Sequence, residues 1–408
     1  MRRHSFLAIL LALILVGVGS EPPAGKSAGA SRVAGPLKLT PPPSPVRGVQ
    51  VLTLDCRDWD EVDQRLAEFK AGGVKVVIVR VFHNPGDRHY PFIRPAHPSG
   101  VYFQTSASPV VADALGPILK LAHRRGLKVV AWMTTRYADY GREDELELRA
   151  MSWDFEKKQT VPARGYCPLL PEVHDRLSAV YSDLARYPID GVLIQDDLVY
   201  RHLEGMNPRA RALYEQATGR KADPDLFFKQ ATKIGPGRYR VGQYTEEFHK
   251  WRRWQNAGLV LLAERLRNQV QAVRPGTPVG INIYYETVTA PDNAMTWFAQ
   301  DMEALLQSNL DFYALMLYHR QMMSELNLSK NQVFALIERA VDALAVRADH
   351  QQRIWVKLQT VDWNSGARIP AAEVAELAAR VEKIGPVGII LMPTPKSLDE
   401  TALKEIFP

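Results

Sequence analysis

The chain has only two cysteines in 408 residues, Cys56 and Cys167. That excludes a dense disulfide scaffold, and with no CxxC or HxxxH-type spacing it excludes the usual structural zinc sites. In an oxidising compartment the two thiols either pair or lie apart as buried side chains. Other signatures are missing too. There is no GxSxG elbow, no P-loop, no HExxH and no Gly-rich phosphate loop after the first strand-like run. Esterase, nucleotide and zincin chemistry therefore have no support. A block of basic residues is also lacking. Of the formal charge of +6, residues 1–46 hold +4 (Arg2, Arg3, Lys26, Arg32 and Lys38 against Glu21). The near-neutral remainder does not support nucleic acid as a partner.

Long apolar runs are confined to the start. Arg2 and Arg3 precede the apolar Phe6–Val18, and Val18-Gly19-Ser20 offers small residues for cleavage before Glu21. Residues 1–20 read as a signal peptide, with a periplasmic or secreted product and no stable membrane span after cleavage. Residues 21–46 are rich in Pro, Gly, Ala and Ser and read as a tether.

The remainder, 47–408, has the composition of a folded domain; the whole chain is 46% hydrophobic and 24% charged. Strand-like runs alternate with helical ones eight times. The strands are expected at Val46–Asp55, Val74–Phe82, Leu127–Thr135, Ile189–Asp197, Pro278–Tyr285, Leu310–His319, Arg353–Trp363 and Pro386–Pro393. Helices are expected between them, including Trp59–Ala71, Val110–Arg125, Pro171–Arg186, Trp251–Val273, Asn293–Gln307, Gln332–Val346 and Ala371–Ile384. The fourth connection is expected to carry short helices at Pro208–Thr218 and Asp223–Ile234. Strict alternation argues for a parallel sheet, and eight repeats argue for a (β/α)8 TIM barrel with long βα loops, an α/β fold. An open doubly wound sheet is the alternative, but it usually carries a phosphate loop where this chain has LDCRDWD.

Barrel active sites lie at the C-terminal ends of the strands. Those ends hold Asp55; His83; Tyr137; Gln195, Asp196 and Asp197; Asn282, Tyr284, Tyr285 and Glu286; Tyr318 and His319; Asp362 and Trp363. Carboxylates among aromatics suit a sugar: rings stack on pyranose faces while carboxyls act as acid, base or nucleophile. Each position also has a plainer reading. An Asp at a strand end often caps the next segment, the histidines serve as well as hydrogen-bonding core groups, and Trp132 suits the core. A divalent cation on Asp55, Asp196 and Asp197 is a further arrangement these residues permit; no metal or other cofactor is expected.

Several stretches carry a family likeness: KVVAWM, DLARYPIDGVLIQDD, INIYYE, WFAQDMEALL and KLQTVDW. From about residue 47 to the end the chain resembles the C-terminal glycoside-hydrolase domain of PgaB-type poly-β-1,6-N-acetylglucosamine (PNAG) N-deacetylases. The resemblance implies an endo-acting hydrolase of partly deacetylated PNAG. It places a catalytic carboxylate in the Asp196–Asp197 pair and a stacking role on Trp363. Gln195 stands where that family has His, and the family's deacetylase domain is not among these residues.

The expectation is therefore an exported glycoside hydrolase acting on an amino-sugar exopolysaccharide. Asp197 is expected as general acid, and Asp196 or Glu286 as nucleophile or base. Asp55, His83, Tyr137, Asn282, Tyr285, Tyr318, His319, Asp362 and Trp363 are the candidate substrate contacts. A polysaccharide substrate is the expected partner, together with exopolysaccharide export machinery. The alternative is a non-catalytic polysaccharide-binding barrel, motivated by Gln195. Substrate-assisted hydrolysis of the chitinase type is disfavoured, since Leu198 stands where that pattern needs an acid.

Overall fold

The structure, a computed structural model, describes residues 45–348 and 353–408. The expected signal peptide, and the expected tether through residue 44, lie outside them. Eight parallel strands close into a barrel in sequential order. They are β1 (Arg47–Val51), β2 (Val76–Arg80), β3 (Lys128–Met133), β4 (Gly191–Ile194), β5 (Val279–Tyr284), β6 (Phe312–Met316), β7 (Ile354–Gln359) and β8 (Gly388–Met392). Each is followed by helix, so the fold is a (β/α)8 barrel. The strands are apolar because both faces are buried, one by helices and one by the barrel interior.

The interior face is identified by a bond that skips a strand. Lys357 Nζ on β7 donates to Asn282 Oδ1 on β5 at 2.8 Å, crossing behind β6. The parity of Asn282 and Lys357 therefore points inward. Register carries that parity around the barrel: Leu193 lies beside Gly280, Gly280 beside Phe312, and Ala314 beside Trp355. Phe312 and Trp355 stack at 4.0 Å and fill the interior. A Cβ on Gly280 would lie 2.4 Å from the Phe312 ring, so only glycine fits there.

The loops depart more from expectation. Only Pro224–Phe227 is helical within 223–234; an antiparallel hairpin follows, Phe228–Gly235 with Arg238–Tyr244. Pro236-Gly237 makes its turn, with Gly237 at φ +61°, and alternation in RYRVGQY suits a strand. A second hairpin pairs Arg149–Asp154 with Gln159–Tyr166. The helix expected over 293–307 is split by Ala299 in the left-handed region into Pro291–Phe298 and Met302–Gln307. A helix not anticipated, His319–Leu326, follows β6. Cys56 and Cys167 are both buried free thiols, so the disulfide alternative is excluded. Cys167 Sγ instead meets the Tyr200 hydroxyl at 3.1 Å.

Candidate active site

The two adjacent aspartates after β4 have different surroundings. Asp197 is 3% exposed and accepts from Thr134 Oγ1 (2.7 Å), Thr135 Oγ1 (2.8 Å) and the amides of Thr135 (3.0 Å) and Tyr137 (2.9 Å). Burial pushes its carboxyl up, while all these donors favour the charged form. It ties the end of β3 to the end of β4. Asp196 is half-buried, and its backbone O and Oδ2 lie 3.3 and 3.4 Å from the Tyr284 hydroxyl.

Tyr284 ends β5 and joins both sides of the site. Its ring stacks on Phe298 at 4.1 Å, and Arg201 lies over both rings, with Nη2 3.5 Å from the phenol oxygen. Two residues on, Glu286 opens the short helix Glu286–Thr289. Burial pushes its carboxyl up to about 7, and repulsion from Glu325 adds to this; the helix-start backbone and Arg201 oppose it. Its Oε2 is buried with no hydrogen-bond partner among the described residues. A carboxyl held protonated near neutrality is what a general acid needs.

Lys357, fully buried, reaches Asn282, two residues before Tyr284 on β5. Burial pushes its ammonium down to about 7, against the pull of Asp196. It lies 5.7 Å from the centre of the Tyr318 ring, and Tyr318 meets Trp363 edge-on at 5.8 Å. Asp196, Tyr284, Asn282, Lys357, Tyr318 and half-buried Trp363 thus form one continuous wall. Gln195 shares the inward parity of Leu193, and its Oε1 is buried without a partner among the described residues.

The remaining candidates have structural partners. Exposed Asp55 meets Arg88 at 3.4 Å. Buried His83 holds the Tyr102 hydroxyl on Nδ1 (2.9 Å) and stacks on His89 at 3.7 Å. Burial lowers its pKa to about 4, so it is neutral. His319 turns outward to Glu373 (3.0 Å), which Arg320 also grips with two nitrogens. Asp362 accepts the amides of Asn364 and Ser365 and shapes its own turn. Tyr285 donates to Glu325 at 2.8 Å, and half-buried Tyr137 lies beneath the Arg164 guanidinium at 4.1 Å. Asp55, Asp196 and Asp197 do not converge: among the described residues no three His, Cys, Asp or Glu side chains form a metal-sized cluster.

Sequence reasoning missed Lys357, Arg201 and Glu325, and left Tyr284 out of the substrate contacts. Lys357 alone had a signal, as a single cation inside the apolar run IWVKLQ.

The profile of hypothetical glycosyl hydrolase family 13 matches residues 96–390. The chain belongs to that family. It is a glycoside hydrolase, and its substrate is a glycan. The likeness to PgaB holds in three dimensions: the glycoside hydrolase domain of PgaB (BpsB) from Bordetella bronchiseptica superposes with a TM-score of 0.67 at 22% identity, covering 89% of this chain and 99% of that one. The catalytic domain of a Paenibacillus polymyxa β-amylase matches with a TM-score of 0.56 at 11% identity, covering 88% and 95%. A β-galactosidase from Marinomonas ef1 gives 0.59 at 12%, covering 88% and 58%. None of the curated proteins matches this glycoside hydrolase by sequence. Among its described residues no helix is long and apolar enough to cross a membrane.

Proposed function

We propose that this glycoside hydrolase is an exported, endo-acting enzyme of partly deacetylated PNAG or a related amino-sugar exopolysaccharide, working through Asp196 and Glu286. The observation that carries this reading is Tyr284, whose phenol contacts Asp196 while Glu286, two residues on, holds a carboxyl raised to about 7. Glu286 is the general acid that protonates the leaving glycosidic oxygen. Asp196 is the nucleophile or base, open to the cleft and facing the charge of Lys357. Asp197 becomes a positioning residue, because its oxygens are already engaged by Thr134, Thr135 and Tyr137.

Trp363 on Tyr318 supplies an aromatic face for a pyranose ring. Carboxyls at the mouth favour a polymer bearing free amines, and the likeness to the PgaB domain supports the same sugar. Export rests on the leader at residues 1–20, and association with exopolysaccharide export machinery is the accompanying partner proposal.

The test is product analysis on defined polysaccharides with wild type, Asp196→Asn and Glu286→Gln. Oligosaccharides released from partly deacetylated PNAG by wild type, and lost in both variants, support the reading. Hydrolysis of another glycan alone would overturn the sugar; full activity of either variant would overturn the carboxylate pair.

A further inference from the structure

The hairpin Phe228–Gly235 with Arg238–Tyr244 is unlike the rest of the surface. Its span carries Lys229, Lys233, Arg238 and Arg240 and no Asp or Glu. Like charges so close together on a two-stranded ribbon repel, and of the four only Lys233 has a carboxylate among the described residues to offset this.

One face of the ribbon is spoken for. Tyr239 packs on Phe155 at 5.2 Å, and Lys233 Nζ meets Glu156 Oε1 at 2.6 Å, both from the neighbouring hairpin. Arg238 and Arg240 alternate with half-buried Tyr239 and Val241 and so point from the opposite face. Both are exposed and form no ion pair with any described residue. Thr232 pairs with Arg240 across the ladder, and exposed Gln230 adds an amide from the same strand.

The ribbon stands beside the catalytic mouth. At its base Tyr244 meets the His202 ring at 6.1 Å, His202 meets Trp297 at 4.1 Å, and the adjacent Arg201 reaches Tyr284. A satellite core including Phe227, Phe228, Phe248 and Trp251 anchors the base, so the ribbon is held rather than loose.

We propose that this outward face docks an acidic polysaccharide, one bearing carboxylates along its chain. Guanidinium forks suit carboxylates, and the ribbon's hydroxyl and amide groups suit sugar hydroxyls. Ile234, 44% exposed, is the ribbon's only exposed large apolar side chain, too little apolar surface for a lipid anchor. A polyglucosamine chain would be repelled here, so the partner is a different polymer from the proposed substrate. The inference is independent of which sugar the cleft hydrolyses.

The test measures binding of the purified protein to a polyuronate (alginate), to neutral dextran and to phosphatidylglycerol vesicles. Alginate is expected to bind, dextran not, with affinity falling as salt screens the charges. The double variant Arg238→Ser, Arg240→Ser is expected to bind alginate about tenfold more weakly, with glycan hydrolysis unchanged because neither residue touches Asp196 or Glu286. Failure to bind alginate, or equal binding by the variant, overturns the proposal. Binding to the vesicles without binding to alginate overturns it in favour of a membrane surface.

Discussion

The Tyr284 hydroxyl lies 3.4 Å from Asp196 Oδ2, and the same residue stands two positions before Glu286. One phenol from β5 thus orients the carboxyl that follows β4 and begins the turn carrying the second carboxyl. Tyr284→Phe keeps the ring on Phe298 and removes only the hydroxyl. We predict that kcat falls about tenfold with little change in KM, because the lost contact orients a reacting group rather than binding sugar. Unchanged kcat would show that Asp196 needs no such partner.

Asp197→Asn should chiefly affect stability. The amide would set an NH2 group against at least one of the donors around the buried carboxylate. A loss of about 3 kcal/mol in denaturant unfolding is expected. A variant as stable as wild type yet inactive would return the catalytic role to Asp197.

The raised carboxyl of Glu286 sets a pH limit. With its value moved from the ordinary 4.5 to about 7, the protonated acid is lost as pH rises through about 7, and kcat should fall above that point. Stability has the same sign. The folded state holds this proton more tightly than the unfolded chain, so the contribution is complete below 4.5 and disappears as pH passes about 7. Glu286→Gln should remove most activity. The Lys357 ammonium, pushed down to about 7, loses its charge over the same range, so the limb should persist in Lys357→Met where Glu286 sets it; its loss there would assign it to Lys357.

Lys357 is a buried cation whose ammonium donates to Asn282. Lys357→Met should cost about 1–3 kcal/mol of stability, since Asn282 Oδ1 is left buried without its donor while the buried charge itself is removed. Activity should fall about tenfold to a hundredfold as the charge facing Asp196 is removed. A large drop in melting temperature with normal kcat would make Lys357 purely structural.

Local sequence determined the barrel. The apolar runs and most of the amphipathic helices declare themselves through their own periodicity, so Trp59–Ala71 and Pro208–Thr218 occur where the pattern sets them, whereas His319–Leu326 does not. The ends of β4 and β5 were equally legible as the place where carboxyls gather. What neighbouring residues cannot encode is the partner brought from another strand. Asp196 and Asp197 are adjacent in sequence and alike in chemistry. Only closure of the barrel puts Thr134, Thr135 and Tyr137 around one and Tyr284 beside the other. The same closure turns His319 outward to Glu373 and aims Lys357 across the interior at Asn282. Burial and hydrogen bonding are long-range properties of the folded chain, and here they separate the carboxyl that anchors β4 from the one that faces the cleft.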